Sequence, residues 1–227
     1  MLDPRSRAVL TTSITLGFAV GVFAVLFGVS AVAAGATTWQ ACAMSLLVFT
    51  GASQFSAVAV IAGGGSVASA LGGALLLAAR NGVFGLTMSR SLPGRLTTRL
   101  IAAQLTIDES TAMATSQDEP YLRRLAFWAT GISVYVFWNL GTLIGALAGS
   151  AIDPTTYGLD AAIPSAFVAM LWPHLRTVNG RRAAALGAAL CLATTPFLPV
   201  GLPILVAATA VFVAVPAPAA NQMVAPG

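Results

Sequence analysis

Residues 47–62, LVFTGASQFSAVAVIA, are apolar enough to lie in a lipid bilayer, yet they carry Thr50, Ser53, Gln54 and Ser56 together with Gly51. In hydrocarbon every polar group needs a protein or water partner. On a helix Thr50 and Gln54 are four apart and share a face, while Ser53 and Ser56 share a neighbouring one. Hydrogen bonding between helices, roughly 0.6 kcal/mol per contact, suffices to explain a lone serine. It fits a glutamine beside a glycine less well. A helix interrupted at Gly51 would aim free backbone N–H groups at an anion, with Ser53 and Gln54 as added donors. The segment is therefore expected to be a broken or re-entrant helix that lines a binding site.

The rest of the chain has the composition of a membrane protein. Of its 227 residues 57% are hydrophobic and 8% charged, against roughly 25% charged in a soluble domain. At about 20 residues per span the expected fold is all-α, a polytopic integral membrane protein with about six or seven helical segments. These are drawn at about 8–34, 41–62, 66–89, 125–149, 160–175, 183–198 and 201–216. The expected organisation is a single transmembrane domain over 1–218 and a disordered, proline-containing tail over 219–227. The first apolar run is too long for a signal peptide and is read as a retained span.

Eleven arginines against seven acids give a net charge of +4, which here reads as orientation in the lipid bilayer and not as nucleic-acid binding. The arginines cluster on short flanks: Arg5 and Arg7; Arg90, Arg95 and Arg99; Arg123 and Arg124; Arg176, Arg181 and Arg182. Such flanks face the cytoplasm. Three full crossings would put the second cluster outside, so one segment is expected not to cross, and 41–62, flanked by the neutral turns AGATTWQ and AGGGS, is the candidate. The stretch RSLPGRLTTRLIAAQLTIDESTAMATSQDEPYLRR contains Asp108 and Glu109. Burying one central aspartate costs about 2.5–3.5 kcal/mol, so the polar connector 93–124 is expected to be cytoplasmic or interfacial.

An internal echo joins the halves about 8–92 and 125–200. GVSAVAAGATTWQACAMSLLVFTGASQFSAV is loosely matched by GALAGSAIDPTTYGLDAAIPSAFVAM. Transporters built from two repeats place the substrate where interrupted helices meet; chance similarity in Ala- and Gly-rich sequence explains the match equally well.

Arg80 is the one charge inside an apolar run. An intramembrane arginine faces a partner or a water-filled path, or it snorkels to an interface. Tyr135, Asn139 and Thr142 share a helix face, and Gly141, Gly145 and Gly149 make a double GxxxG that lets another helix approach closely. Asn139 is a candidate for the path. The available proton carriers are Asp108, Glu109, Asp153, Asp160 and His174, all readable as solvated residues or caps. Cys42 and Cys191 read as small buried hydrophobes, and no metal-ligand or cofactor motif is present. An intramembrane serine hydrolase using Ser53 and His174 is the enzyme alternative, but GASQF is not a G-x-S-x-G elbow.

The motifs VFTGASQFSAV, LLLAARNGVFGLTMS, LTIDESTAMA, FWNLGTLIGALAG and GLDAAIPSAFVAML together resemble the AzlC family of branched-chain amino acid permeases, over about residues 15–180. The resemblance implies a secondary exporter of leucine, isoleucine, valine and methionine in the bacterial inner membrane. It also implies a small hydrophobic partner of the AzlD type; whether the chain forms a homo-oligomer is left open. Family members often carry an asparagine two residues before the arginine and an aromatic or histidine just after it; here these are Ala78 and Asn81. A zwitterion needs donors for its carboxylate, acceptors for its ammonium and an apolar pocket. Gly51, Ser53, Gln54 and Arg80 are the expected donors, Asn139 an acceptor, and Phe55 and Phe137 the wall. The competing reading is a membrane scaffold subunit whose partner holds the path.

Overall fold

A computed structural model of the chain describes residues 3–150, 165, 167, 168, 171, 172 and 174–214. Among these residues the regular structure is entirely helical. Helix α1 (Pro4–Ala33) opens with Pro4 in its first turn and with the Asp3 carboxylate accepting the Ser6 N–H. Helix α7 (Pro120–Gly149) likewise begins on a proline. Proline loses nothing at a helix start, where its missing N–H would be unpaired anyway. Each helix has 30 residues, about 45 Å of rise, enough to cross a hydrocarbon layer of about 30 Å.

These two helices make the principal interface through backbone contact. A Cβ on Gly141 would run into the Gly21 carbonyl, and one on Gly145 into that of Val25; Gly149 sits against the Val29 Cα. From the other side, Gly17 meets Ser133 and Gly28 meets the Thr142 and Gly145 backbone. The double GxxxG is a packing surface. A buried hydroxyl pair adds to it, Ser13 with Thr130 at 2.8 Å, and a second, Ser45 with Thr142 at 3.0 Å, ties residue 45 of the next helical segment to α7. Outer faces are apolar: Ile14, Phe18 and Val22 on α1 are more than half exposed, a stripe at i, i+4, i+8 that belongs against lipid.

The expected 41–62 segment is two helices, α2 (Thr38–Val48) and α3 (Ala52–Ala62). A reciprocal capping box starts α2: the Thr37 N–H donates to Gln40 Oε1 at 2.8 Å, and the Gln40 N–H to Thr37 Oγ1 at 3.2 Å. Each helix has 11 residues and rises about 16 Å, so either alone spans only about half the bilayer core. They do not pair with each other. α2 lies mainly on α7 and α3 along α4 (Val67–Ser89), the third helix long and apolar enough to cross a membrane besides α1 and α7. This is a helix broken in the middle, not a hairpin of two packed arms.

The polar connector is itself structured. Residues 93–124 hold two further helices, α5 (Leu96–Gln104) and α6 (Asp108–Thr115), and α6 packs on α7. Leu105, Thr106, Ile107, Ser110, Thr111 and Ala114 are all buried, and Leu105 lies against Gly131 in the middle third of α7. The connector's second half packs into the helical body, while Leu96, Leu100 and Ile101 of α5 stay exposed. At the head of α6, Arg80 of α4 meets Asp108, Nη2 to Oδ2 at 2.7 Å, both side chains half-buried.

Towards the C terminus a 3-10 turn at His174–Arg176 leads into α8 (Val178–Thr194), α9 (Leu202–Ala208) and α10 (Ala210–Ala214). Leu205 brings α9 onto α4 at Gly72. Most of the expected 160–175 segment, Asp153, Asp160, the TTY echo and the 219–227 tail lie outside the described residues.

Candidate functional site

The break between α2 and α3 requires two unusual backbone conformations. Phe49 takes left-handed angles (φ 30°, ψ 56°) and Gly51 takes φ 57°, ψ −88°. A left-handed non-glycine residue costs of order 1–3 kcal/mol and persists only where its surroundings hold it. Phe49 is 3% exposed, and its ring meets Tyr135 edge-on at 4.9 Å.

Side chains take up the backbone groups that the break sets free. Helix ends leave carbonyls and amides without intrahelical partners. The Tyr135 hydroxyl donates to the Leu46 carbonyl at 3.2 Å, and Gln104 Nε2 donates to the carbonyls of Leu46 and Leu47 at 3.0 and 3.3 Å. Gln54 spans the gap: Oε1 accepts the Gly51 N–H and Nε2 donates to the Met44 carbonyl, both at 3.1 Å. The Ser53 and Thr50 hydroxyls bond to each other.

Next to this break lies a cavity of about 260 Å³. Val20 and Phe23 of α1, Phe55 of α3, and Val134 and Trp138 of α7 give it an apolar wall. Thr50, Gly51 and Ala52 present the break itself. Arg80 and Asn81 of α4 and Ile107, Asp108 and Glu109 at the head of α6 complete it. Aromatic packing fixes the wall: Phe27 lies within 5.6 Å of Phe55 and 6.1 Å of Trp138, ring centre to ring centre.

The polar side is incompletely satisfied. Besides its bond to Asp108, Arg80 has a buried Nε with no partner, and the indole N–H of Trp138, a residue 5% exposed, has none either. Among the described residues Glu109 joins no ion pair. It lies in α6, outside the long apolar helices, where burial pushes its carboxyl above the usual range; neighbouring Asp108 adds to this and Arg80 opposes it.

Of the expected site residues, Gly51, Phe55 and Arg80 line this cavity. Ser53 and Gln54 do not: they are 1% and 0% exposed and turn inward to hold the break. Asn139 does not line it either. Its Nδ2 donates to the Tyr135 carbonyl at 2.8 Å, and its Oδ1 is buried without a partner. Phe137 packs against Phe18. Arg80 pairs with Asp108 and lines the cavity. Ser53 is buried, whereas His174 is exposed on its 3-10 turn. Sequence reasoning missed Asp108, Glu109 and Trp138 as cavity residues. One signal was available: TGASQ (50–54) and TIDES (106–110) have the same design. Each places a polar side chain three residues after the helix cap to accept the cap's own N–H, Gln54 from Gly51 and Ser110 from Ile107 at 3.1 Å.

Comparison with known proteins agrees with this architecture. A family model described as AzlC protein matches residues 15–152, more than half of the chain. A protein of Helicobacter pylori described as an uncharacterized membrane protein is 26% identical over 210 residues, covering 89% of this chain and 91% of its own length. No solved structure matches.

Proposed function

The chain belongs to the AzlC family, and on that premise we propose that it is the large subunit of a secondary transporter exporting leucine, isoleucine and valine across the bacterial inner membrane. It works with a small hydrophobic subunit of the AzlD type. The observation that carries this reading is the cavity at the helix break. At about 260 Å³ it falls just under the range of roughly 300–1,000 Å³ that holds drug-sized ligands, a fit for a small solute. Its wall of Val20, Phe23, Phe55, Val134 and Trp138 suits a branched aliphatic side chain, and its opposite side carries charge of both signs. Interrupted helices meeting at such a site are the usual framework of secondary transporters.

Gly51, Phe55 and Arg80 contact the substrate in this reading, while Ser53 and Gln54 keep the break open beside it. Asn139 acts at one remove, through the Tyr135 turn of α7. Efflux of labelled leucine from dipeptide-loaded cells tests the proposal. Cells expressing the chain with its small partner should release leucine faster than cells with the partner alone. Equal release would overturn the reading and leave the chain a scaffold.

A further inference from the structure

The charged corner of the cavity is built for more than one ion pair. Two carboxylates, Asp108 and Glu109, stand at the head of α6 and face a single guanidinium, Arg80. Asp108 occupies Arg80 Nη2, leaving Nε buried and unpaired, while Glu109 has no cationic partner among the described residues. A second orphan donor, the indole N–H of Trp138, belongs to a residue 95% buried in the same wall, given its 5% exposure. Unpartnered buried polar groups each cost about 1–3 kcal/mol. Two such donors on residues that line one small cavity, beside charge of both signs, point to a ligand that satisfies them together.

We infer that the cavity is a zwitterion clamp, in which the substrate's ammonium is held by Asp108 and Glu109 and its carboxylate by Arg80 and Trp138, so that binding replaces the Arg80–Asp108 ion pair. This rests on the transport reading above and adds to it the groups that recognise the substrate's head. The first N–H group of α3, at Ala52 in the cavity lining, has no partner within its helix and favours the carboxylate end through the helix dipole. The two helix starts thus divide the work: α3 offers its first N–H to the anion, and α6 offers side-chain carboxylates to the cation.

Both charges of the ligand are then needed. A ligand with only a carboxylate would compete with Asp108 for Arg80 and leave Glu109 facing no cation. A ligand with only an amine would leave the Arg80 and Trp138 donors unfilled. A site that hydrogen-bonds a group rejects the analogue lacking it, because its own buried partners are left bare.

Melting of the full-length protein in detergent, followed by tryptophan fluorescence, tests the clamp with three probes: L-leucine, 4-methylpentanoate and 3-methylbutylamine. Leucine should raise the melting temperature, and the two half-charged analogues should need at least ~10-fold higher concentration for the same shift, the equivalent of one lost charge-assisted hydrogen bond. Asp108→Asn should weaken the leucine response by a similar factor, while Asp118→Asn, an exposed acid outside the cavity, should not. The analogue series uses the parent protein, so it decides the matter even if Asp108→Asn does not fold. Equal shifts from leucine and either analogue would overturn the clamp. Leucine export by cells with no leucine shift in the purified chain would overturn it too, yet leave the transport reading standing. Absence of both would remove the transport reading and the clamp with it.

Discussion

Replacing Gln54 with leucine, a side chain of similar size, removes the brace across the helix break without opening a large void. Gln54 is fully buried and makes two hydrogen bonds of 3.1 Å, one from the Gly51 N–H and one to the Met44 carbonyl. The Gly51 amide would lose its side-chain acceptor, at about 1–3 kcal/mol for a buried unsatisfied donor. Met44's carbonyl keeps the helical bond of the last α2 turn and would lose about 0.5–1.5 kcal/mol. Together the expected loss is about 1.5–4.5 kcal/mol. A chain of this length shifts its melting temperature by about 2–4 °C per kcal/mol, so Gln54→Leu should melt at least about 3 °C below the parent in detergent. Gln54→Glu keeps an acceptor for Gly51 but has no donor for Met44 and buries a charge, so it should melt no higher than the leucine variant. Leucine efflux should fall in both as the break loosens. Melting of both variants within about 1 °C of the parent would refute the brace. Unchanged melting with weakened leucine binding would assign Gln54 to the substrate instead.

Other outcomes follow from the same contacts. Gly145→Ala would set a methyl group 2.8 Å from the Val25 carbonyl carbon, a backbone clash that only separation of α1 from α7 can relieve; overpacking of this kind costs about 1–3 kcal/mol, read as a lower melting temperature, whereas alanine at Gly82, which has open space around it, should leave melting unchanged. For Glu109 burial raises the folded-state carboxyl above its unfolded value, so the folded protein binds a proton that the unfolded chain has released; stability should fall as pH rises through the folded-state titration and recover as pH falls through it. Glu109→Gln should flatten that part of a melting-temperature-against-pH profile and raise stability on its alkaline side, and a profile of unchanged slope would count against a buried carboxyl.

The helix break was legible because its cause is local. Gly51 permits a positive φ, and a glutamine in oil demands partners, so residues 49–54 announce an interruption without any tertiary information. Gly141, Gly145 and Gly149 were legible as a packing stripe for the same reason: removal of side chains at i, i+4 and i+8 has one principal use in a membrane helix. The role of Gln54 was harder to see. A donor-acceptor side chain at a break can face a solute or its own backbone, and only the geometry of Met44 and Gly51 decides which. The two helices inside the polar connector were not legible, because the cost of burying Asp108 was reckoned for an isolated charge. Its partner, Arg80, lies on another helix, and nothing in the spacing of the two along the chain marks them as a pair. Trp138 gave no signal of its own, since an aromatic near a helix's middle looks the same in sequence whether it faces lipid headgroups or a cavity.

The contact between α1 and α7 has a mechanical consequence. Where carbonyl oxygens of one helix rest in the glycine notches of the other, neither can slide or roll without backbone collision, so the pair acts as a stator. The Arg80–Asp108 pair, in contrast, joins α4 to α6 through half-buried side chains alone, a joint that can part without moving backbone against backbone.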